Sequence, residues 1–329
     1  MRLLAIAVSF LSLSLGAAED IFGQWAFKLP YERLNAGWLG VEKGPDGVKC
    51  RMLWRWSSPW AGVNPTVRDG ELVFVRGSAL EPKADLDKDH DVVTAKVVNG
   101  ELELSMQRVD ANGKAKGEPI RARGWRRPAT GARPDLAKLR FGEGIDLFAQ
   151  GLDGWESMDP GAKFGWTYAD GVLAVDVPKR KAGEPHVPYA NLKTKRADFF
   201  DFRFDYDVKV TEECNSGVYL RGIYELQVMN TYGKPVDCHN HTAYYGRVKP
   251  AVAAERPAGE WQHVTAYVVN GHLDVTLNGR KIYDMIPLEG VTGGAITPDE
   301  TVKGPIYLQG DHYGRVEYRK MVLTPVVDR

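Results

Sequence analysis

Two segments of the chain carry side chains that can transfer protons or bind a polar ligand. Residues 214–228 read Cys-Asn-Ser-Gly-Val-Tyr-Leu-Arg-Gly-Ile-Tyr-Glu-Leu-Gln-Val. Successive side chains of a strand point to opposite faces, so Arg221, Glu225 and Gln227 share one face with Tyr219. The opposite face is apolar and predicts a core contact: Val218, Leu220, Tyr224, Leu226 and Val228. A guanidinium, a carboxyl and an amide group on one face predict a binding or catalytic site.

The second segment is Gly-Pro-Ile-Tyr-Leu-Gln-Gly-Asp-His at residues 304–312. Its alternation turns Gln309 outward, and Asp311 and His312 follow beyond a glycine. Imidazole titrates near neutral pH and can act as base or acid. Neighbours in a regular strand point apart, so Asp311 can orient His312 only if the strand is irregular. Gly310 permits such a bulge.

A third cluster lies at residues 237–241, Asp-Cys-His-Asn-His. In an extended conformation Asp237, His239 and His241 would share a face, and two such histidines can bind one metal ion. Glu225 or His312 could supply a further ligand. The alternative is a polar loop, which the preceding glycine and proline favour. The sequence does not require a cofactor. A divalent metal ion is the candidate that this cluster suggests.

The elements that must position these residues are strands joined by tight turns. Five Asn-Gly or Asp-Gly pairs are each followed by an alternating apolar segment, at residues 69–70, 99–100, 170–171, 270–271 and 278–279. Such pairs are the strongest short-range signal for a β-hairpin. Residues 200–210 alternate aromatic or apolar with charged side chains, which is typical of a half-buried strand. Sustained helical periodicity is absent, so the sequence predicts an all-β protein.

Length and composition indicate two domains. The 329 residues suffice for two units, and residues 129–140 are rich in proline, glycine and charge, as linkers are. We therefore predict a small β-rich domain at 19–128 and a larger antiparallel sandwich at 141–329. With 43 basic and 43 acidic side chains the net charge is zero, which argues against a nucleic-acid partner.

The first 18 residues predict a cleaved signal peptide. One arginine precedes a short apolar run that ends in small residues, with Ala18 the best cleavage position. The run is too short for a membrane span, and no cysteine follows it to carry a lipid. We expect a secreted or periplasmic protein. Of the three cysteines, Cys214 and Cys238 could form a disulfide, although buried free thiols are the preferred interpretation for a domain of this size.

The amino-terminal part holds six of the nine tryptophans: Trp25, Trp38, Trp54, Trp56, Trp60 and Trp125. Exposed indoles can stack on sugar rings. The preferred interpretation is that these indoles fill a small core. Trp54 and Trp56 are predicted to lie on one face of one strand.

Several motifs resemble the 3-keto-disaccharide hydrolase family, in the order found there. They are Asn-Ser-Gly-Val-Tyr-Leu-Arg at 215–221, Tyr-Glu-Leu-Gln at 224–227, Gly-Glu-Trp-Gln at 259–262, Leu-Asn-Gly at 277–279 and the segment 304–312. The resemblance covers roughly residues 141–329. It implies a jelly-roll sandwich of the concanavalin-like type that acts on sugars oxidised at C3.

The resemblance also implies roles for individual residues. The catalytic candidates are Glu225, His312 and Asp311. The substrate-binding candidates are Arg221, Gln227, Gln309, Tyr244 and Asn215, and Tyr245 is the alternative to Tyr244. A sugar C3-oxidoreductase would supply the substrate. A lectin-like protein without turnover and an ordinary glycoside hydrolase with paired carboxylates remain the alternative functions.

Overall fold

The structure is a computed structural model that describes residues 20–181 and 183–328. The predicted signal peptide lies outside these residues. Nine antiparallel strands come first: β1 Gly23–Lys28, β2 Ala36–Gly44, β3 Gly47–Trp54, β4 Trp56–Ala61, β5 Val63–Arg68, β6 Glu71–Val75, β7 His90–Val98, β8 Glu101–Val109 and β9 Ile120–Arg126. They form one sheet in the order β4-β3-β2-β1-β9-β8-β7-β6-β5, here called the N-terminal sheet. Its apolar side chains form a core of their own.

The remaining strands build a two-sheet sandwich. They are β10 Arg140–Phe141, β11 Ile145–Asp146, β12 Trp155–Ser157, β13 Trp166–Ala169, β14 Val172–Val177, β15 Leu192–Thr194, β16 Phe202–Val210, β17 Asn215–Leu220, β18 Tyr224–Met229, β19 Trp261–Val269, β20 His272–Leu277, β21 Arg280–Pro287, β22 Tyr307–Leu308 and β23 Gly314–Asp328. The large sheet runs β13-β14-β23-β16-β19-β20-β21, with β10 and β11 added on β23. The small sheet runs β12-β15-β22-β17-β18.

Apolar side chains of both sheets meet in a single core. Phe202, Phe204, Tyr206, Val208 and Val210 alternate inward along β16, as the sequence predicts. Opposite them lie the inward residues of the small sheet, among them Val218 and Leu226. The prediction of an all-β, antiparallel sandwich of jelly-roll type is confirmed. In the described residues the helical elements are two 3-10 turns, Leu136–Lys138 and Gly151–Gly154.

The five predicted Asn-Gly or Asp-Gly turns all connect paired strands. They join β5 to β6, β7 to β8, β13 to β14, β19 to β20 and β20 to β21. Both residues of each pair have positive φ angles. That conformation matches the twist of the flanking strands, which is why these pairs fix hairpins so reliably.

The N-terminal sheet packs against the sandwich. Trp38 of β2 joins the sandwich core, and its ring lies 4.0 Å from the guanidinium of Arg247. The predicted linker, residues 129–140, falls between the two parts, and its role as a boundary of independently folding domains stays a prediction. Within the described residues, no helix has the length and apolar content needed to span a bilayer.

A buried ion pair joins the two parts just before the linker. Arg127 follows β9, and its Nε donates to Glu300 Oε2 at 2.6 Å while its Nη2 donates to Oε1 at 3.1 Å. The Tyr224 hydroxyl donates to the same Oε1 at 2.9 Å. Both charged side chains are more than nine-tenths buried.

Replacing one member of this pair leaves a buried charge without its partner. We expect Arg127→Met to lower the free energy of unfolding by about 3–5 kcal/mol, because the Glu300 carboxylate loses its counter-charge in a buried position. Arg123→Met is the matched control, since its pair with Glu103 is exposed and should cost less than about 1 kcal/mol. Urea unfolding of the three proteins measures both values. Equal stability of the two variants would contradict the assignment.

Candidate active site

The polar face of the small sheet is set by the register of three strands. In β17 and β18, Tyr219 pairs with Glu225 and Gly217 pairs with Gln227. β22 continues this pattern, because the Gln309 nitrogen donates to the Gly217 carbonyl at 2.9 Å. Glu225, Gln227 and Gln309 therefore lie on the same side of the sheet, which confirms the prediction from alternation. This side is called the polar face below.

The polar face is covered rather than open to water. The exposed fraction is 3% for Glu225, and Gln227 and Gln309 are also buried. Residues 292–294 form part of the cover: the Glu225 nitrogen donates to Thr292 Oγ1 at 2.9 Å, and the Tyr219 hydroxyl donates to the Gly293 carbonyl at 2.8 Å. A carboxyl group in such surroundings loses much of its hydration.

Burial controls the charge of Glu225. Burial, with a smaller contribution from the nearby charge of Asp311, raises the pKa of this carboxyl to about 8, against the opposing effect of the hydrogen bond from Tyr219. That bond joins the Tyr219 hydroxyl to Glu225 Oε2 at 2.9 Å. The other oxygen, Oε1, lies beside Gly217 of the neighbouring strand. With a pKa of about 8, Glu225 is mostly protonated at neutral pH.

Gly217 is the residue that makes room for this carboxyl. A Cβ atom at position 217 would lie 3.0 Å from the Glu225 Cδ and would overlap its Oε1. The carboxyl group thus folds across the neighbouring strand into the space that a side chain would fill. The family motif Asn-Ser-Gly contains this glycine, although sequence reasoning gave it no role.

Tyr307 is a second residue of the polar face that sequence reasoning left without a role. Its ring stacks on Tyr219 with centroids 4.1 Å apart and planes 13° from parallel. Its hydroxyl is buried and has no hydrogen-bond partner among the described residues. Burial raises the pKa of that hydroxyl well above its usual range, and the charges of Asp311 and Glu225 add to this. The sequence did indicate this position, because alternation along Ile306, Tyr307 and Leu308 places Tyr307 on the same face as Gln309.

Asp311 and His312 form the predicted pair. The chain leaves the regular strand after Leu308, and His312 Nδ1 lies 2.6 Å from Asp311 Oδ1. Asn191 anchors the turn, since its Oδ1 accepts from the Gly310 nitrogen at 2.8 Å and its Nδ2 donates to Asp311 Oδ2 at 3.4 Å. A carboxylate beside Nδ1 places the hydrogen on that atom and leaves Nε2 free to accept a proton.

These residues open into a cleft of about 1090 Å³. Asn191, Asp311 and His312 line one wall, and Arg55 and Trp56 of the N-terminal sheet line another. Glu225 is not part of the lining. The cleft thus exposes the aspartate–histidine pair, whereas the carboxyl group of the polar face stays enclosed.

Arg221 does not join the polar face. Alternation ends at Leu220, and the left-handed conformation of Arg221 (φ 57°) turns its side chain away from the strand face. Its Nη2 donates to the carbonyls of Glu300 and Val302 at 2.7 and 2.6 Å. Arg221 therefore stabilises the segment at residues 300–302. It forms no ion pair with Glu225 and does not line the cleft.

Of the other substrate-binding candidates, Tyr244 does not lie on the polar face, whereas Asn215 does. The Tyr244 ring lies in the core and its hydroxyl donates to the Gly290 carbonyl. Tyr245, the alternative, is only partly buried, and its nitrogen donates to the Glu225 carbonyl at 3.1 Å. Asn215 begins β17 and shares a face with Gly217 by alternation.

The histidines of the third cluster are separated by a turn. Asp237 Oδ1 accepts from the His239 nitrogen at 2.7 Å, and His239 Nε2 lies 2.8 Å from Ser58 Oγ. His241 is buried with both ring nitrogens unpartnered, and burial lowers its pKa to about 4. The extended conformation assumed for a shared metal ion is therefore wrong. Within residues 20–181 and 183–328, no three His, Cys, Asp or Glu side chains are grouped to hold a metal.

The raised pKa of Glu225 predicts a pH-dependent effect of its replacement on stability. The folded protein holds a proton that the unfolded chain releases above pH 4.5. Stability from this group is therefore complete below pH 4.5 and is lost as the pH rises through about 8, by about 1.4 kcal/mol per unit of pKa difference. Glu225→Gln lacks this titration, so it should gain stability relative to the native protein between pH 5 and pH 9. Urea unfolding at both values measures the gain, and a difference that does not change with pH would contradict the burial of the charge.

Solved structures of other proteins are similar to part of this chain. Three solved structures from Parabacteroides distasonis, each provisionally described as a glycosyl hydrolase, are similar to this chain. The first is 26% identical to this chain and has a TM-score of 0.44. The similar region covers 56% of this chain and 84% of the other chain. The others are 21% and 20% identical with TM-scores of 0.42, covering 56% and 54% of this chain and 100% and 90% of their own.

Among curated proteins, none matches the sequence. The family model described as 3-keto-alpha-glucoside-1,2-lyase-like domain matches residues 143–324, which is more than half of the chain. The protein therefore belongs to this glycoside-hydrolase-like, carbohydrate-active family.

Proposed function

We propose that the protein cleaves 3-keto-glycosides by elimination followed by hydration. A ketone at C3 acidifies the proton on C2, so a base can remove it to give an enolate. The enolate expels the glycosidic oxygen from C1, and a double bond forms between C1 and C2. Water then adds across that bond, with its oxygen on C1 and a proton on C2. The family supports this reaction class, and the observation that carries it is the Glu225 carboxyl group, enclosed on the polar face and hydrogen-bonded to Tyr219.

The chemistry requires a base, an acid and a donor for the C3 oxygen. His312, oriented by Asp311, is the base that accepts the C2 proton on Nε2. Glu225 is the acid that protonates the departing oxygen. The unpartnered hydroxyl of Tyr307 is the donor for the developing oxyanion at C3. The proposal requires residues 292–294 to move, so that Glu225 touches the sugar.

The origin of the substrate follows from its chemistry. An oxidation at sugar C3 must precede cleavage, which an oxidoreductase acting on the intact glycoside would catalyse. Export through the predicted signal peptide would bring the protein to glycosides outside the cytoplasm.

The residue assignment is tested with two variants and one control. Glu225→Gln and His312→Ala should each lower kcat on a methyl 3-keto-glucoside by about 10²–10⁴, because each loses one general acid or base. His263→Ala is the matched control, since its ring also lies 2.9 Å from a carboxylate, Asp207, but outside the cleft. Its kcat should stay unchanged. Product formed in deuterated water should carry deuterium at C2.

Three outcomes would count against the proposal. Near-normal kcat in both variants would reject the residue roles. Equal cleavage of the unoxidised glucoside would favour an ordinary glycoside hydrolase. Binding of both sugars without cleavage of either would favour a lectin-like function.

The pH profile separates the acid role of Glu225 from a base role. Its pKa is raised to about 8 by burial, so the protonated form is lost as the pH rises through that value. With Glu225 as the acid, kcat should fall about tenfold for each unit above pH 8. Initial rates from pH 6 to pH 10 measure the profile. A kcat that rises through pH 8 would show that Glu225 acts as the base.

A further inference from the structure

The turn between β3 and β4 presents an indole to the cleft. Trp54 ends β3 within the N-terminal core, whereas Trp56 begins β4 and is 43% exposed. The two tryptophans belong to different strands and pair across the turn, so the prediction that they lie on one strand is wrong. Arg55 and Ser57 have φ angles of 66° and 68°. Left-handed conformations are costly for residues other than glycine and often mark functional segments.

Arg55 holds this indole in place. Its guanidinium lies 4.3 Å from the Tyr31 ring centroid and 4.9 Å from that of Trp56. Its Nε donates to the Leu34 carbonyl at 3.1 Å and its Nη2 to the Arg33 carbonyl at 3.3 Å. Within the described parts of the chain it forms no ion pair. Its hydrogen bonds and its stacking fix the orientation of Trp56.

The same turn is fastened to the loop that covers Glu225. The Gly294 nitrogen donates to the Arg55 carbonyl at 2.8 Å. A Cβ atom on Gly293 would lie 2.6 Å from the Ser57 nitrogen, so the two backbones are in close contact. Ser58 Oγ lies 2.8 Å from His239 Nε2. The turn that carries Trp56 is therefore held by contacts to residues 239, 293 and 294 of the sandwich part.

We infer that Trp56 is a stacking platform for the sugar ring that leaves during cleavage. The inference rests on the proposed function, which places the 3-keto ring at His312. The cleft of about 1090 Å³ is slightly larger than typical small-molecule sites, which span roughly 300–1000 Å³, and it has room for a second ring beside the 3-keto ring. The apolar C–H face of a pyranose packs on an indole face, and Trp56 is the exposed aromatic ring on the wall that the N-terminal sheet contributes. The N-terminal sheet thereby supplies half of the binding site.

The test compares two substrates with and without a second ring. Trp56→Ala in the full chain should raise KM about tenfold for a glucosyl-glucose carrying the ketone at C3 of its non-reducing ring, because the apolar contact is lost. KM for methyl 3-keto-glucoside should stay within about twofold. Trp56→Phe keeps an aromatic face and should restore most of the affinity. Trp125→Ala is the control, since Trp125 is 36% exposed on β9 and outside the cleft.

The outcomes distinguish three cases: Trp56 binds the leaving sugar, Trp56 acts only through the structure of the loop at 292–294, or the proposed function is wrong. Equal loss on both substrates would overturn the subsite, because Trp56 would then act through the loop at 292–294. Unchanged KM on the disaccharide would overturn it while leaving the proposed function intact. If the native protein cleaves neither substrate, the proposed function fails, and calorimetric titration with the unoxidised disaccharide then tests the platform alone. Tighter binding to the native protein than to Trp56→Ala would support the platform, and equal or absent binding would overturn it.

Discussion

The burial of one carboxyl group constrains the candidate active site. The Glu225 carboxyl group can lie on the polar face because position 217 has no side chain and because the Tyr219 hydroxyl is within hydrogen-bond distance, while Thr292 Oγ1 accepts from the Glu225 backbone nitrogen. A protonated carboxyl can donate to the Tyr219 oxygen while Tyr219 donates to Gly293, so one chain of hydrogen bonds satisfies all three groups. An ionised carboxylate would instead compete with the Gly293 carbonyl for the single hydroxyl hydrogen. The geometry and the raised pKa of Glu225 thus point to the same protonation state.

The loop that covers this carboxyl is held by arginines that bind backbone carbonyls. Arg247 donates to the carbonyls of Glu289 and Val291, and Arg221 donates to those of Glu300 and Val302. Arg127 donates to the Leu288 carbonyl as well as to the Glu300 side chain. The planar fork of a guanidinium suits such paired acceptors. Residues 288–302 are therefore anchored at both ends, and Thr292 and Gly293 between the anchors make the hydrogen bonds that enclose Glu225.

Local sequence signals predicted the parts of the fold that depend on local geometry. The five hairpins and the alternation of residues 215–228 follow from turn chemistry and strand period, and both are confirmed. Arg221 departs from the alternation because its left-handed turn begins where the strand ends. The separation of His239 from His241 likewise results from a turn that no periodicity reveals. The missing partner of the Tyr307 hydroxyl depends on tertiary packing, so sequence reasoning had no access to it.

The contact between the two parts of the chain changes how the tryptophans are understood. By composition alone the six indoles of the N-terminal part are equivalent, and core packing accounts for Trp25, Trp38 and Trp54. What distinguishes Trp56 is a single residue, Arg55, whose left-handed backbone reverses the chain and whose guanidinium covers one face of the indole. The opposite wall of the cleft belongs to the sandwich.

A buried ion pair, a shared core tryptophan and this turn all join the N-terminal sheet to the sandwich. A rigid attachment of this kind is what a site built from two walls requires, because a sugar held by one wall must keep its position relative to the proton-transfer groups of the other.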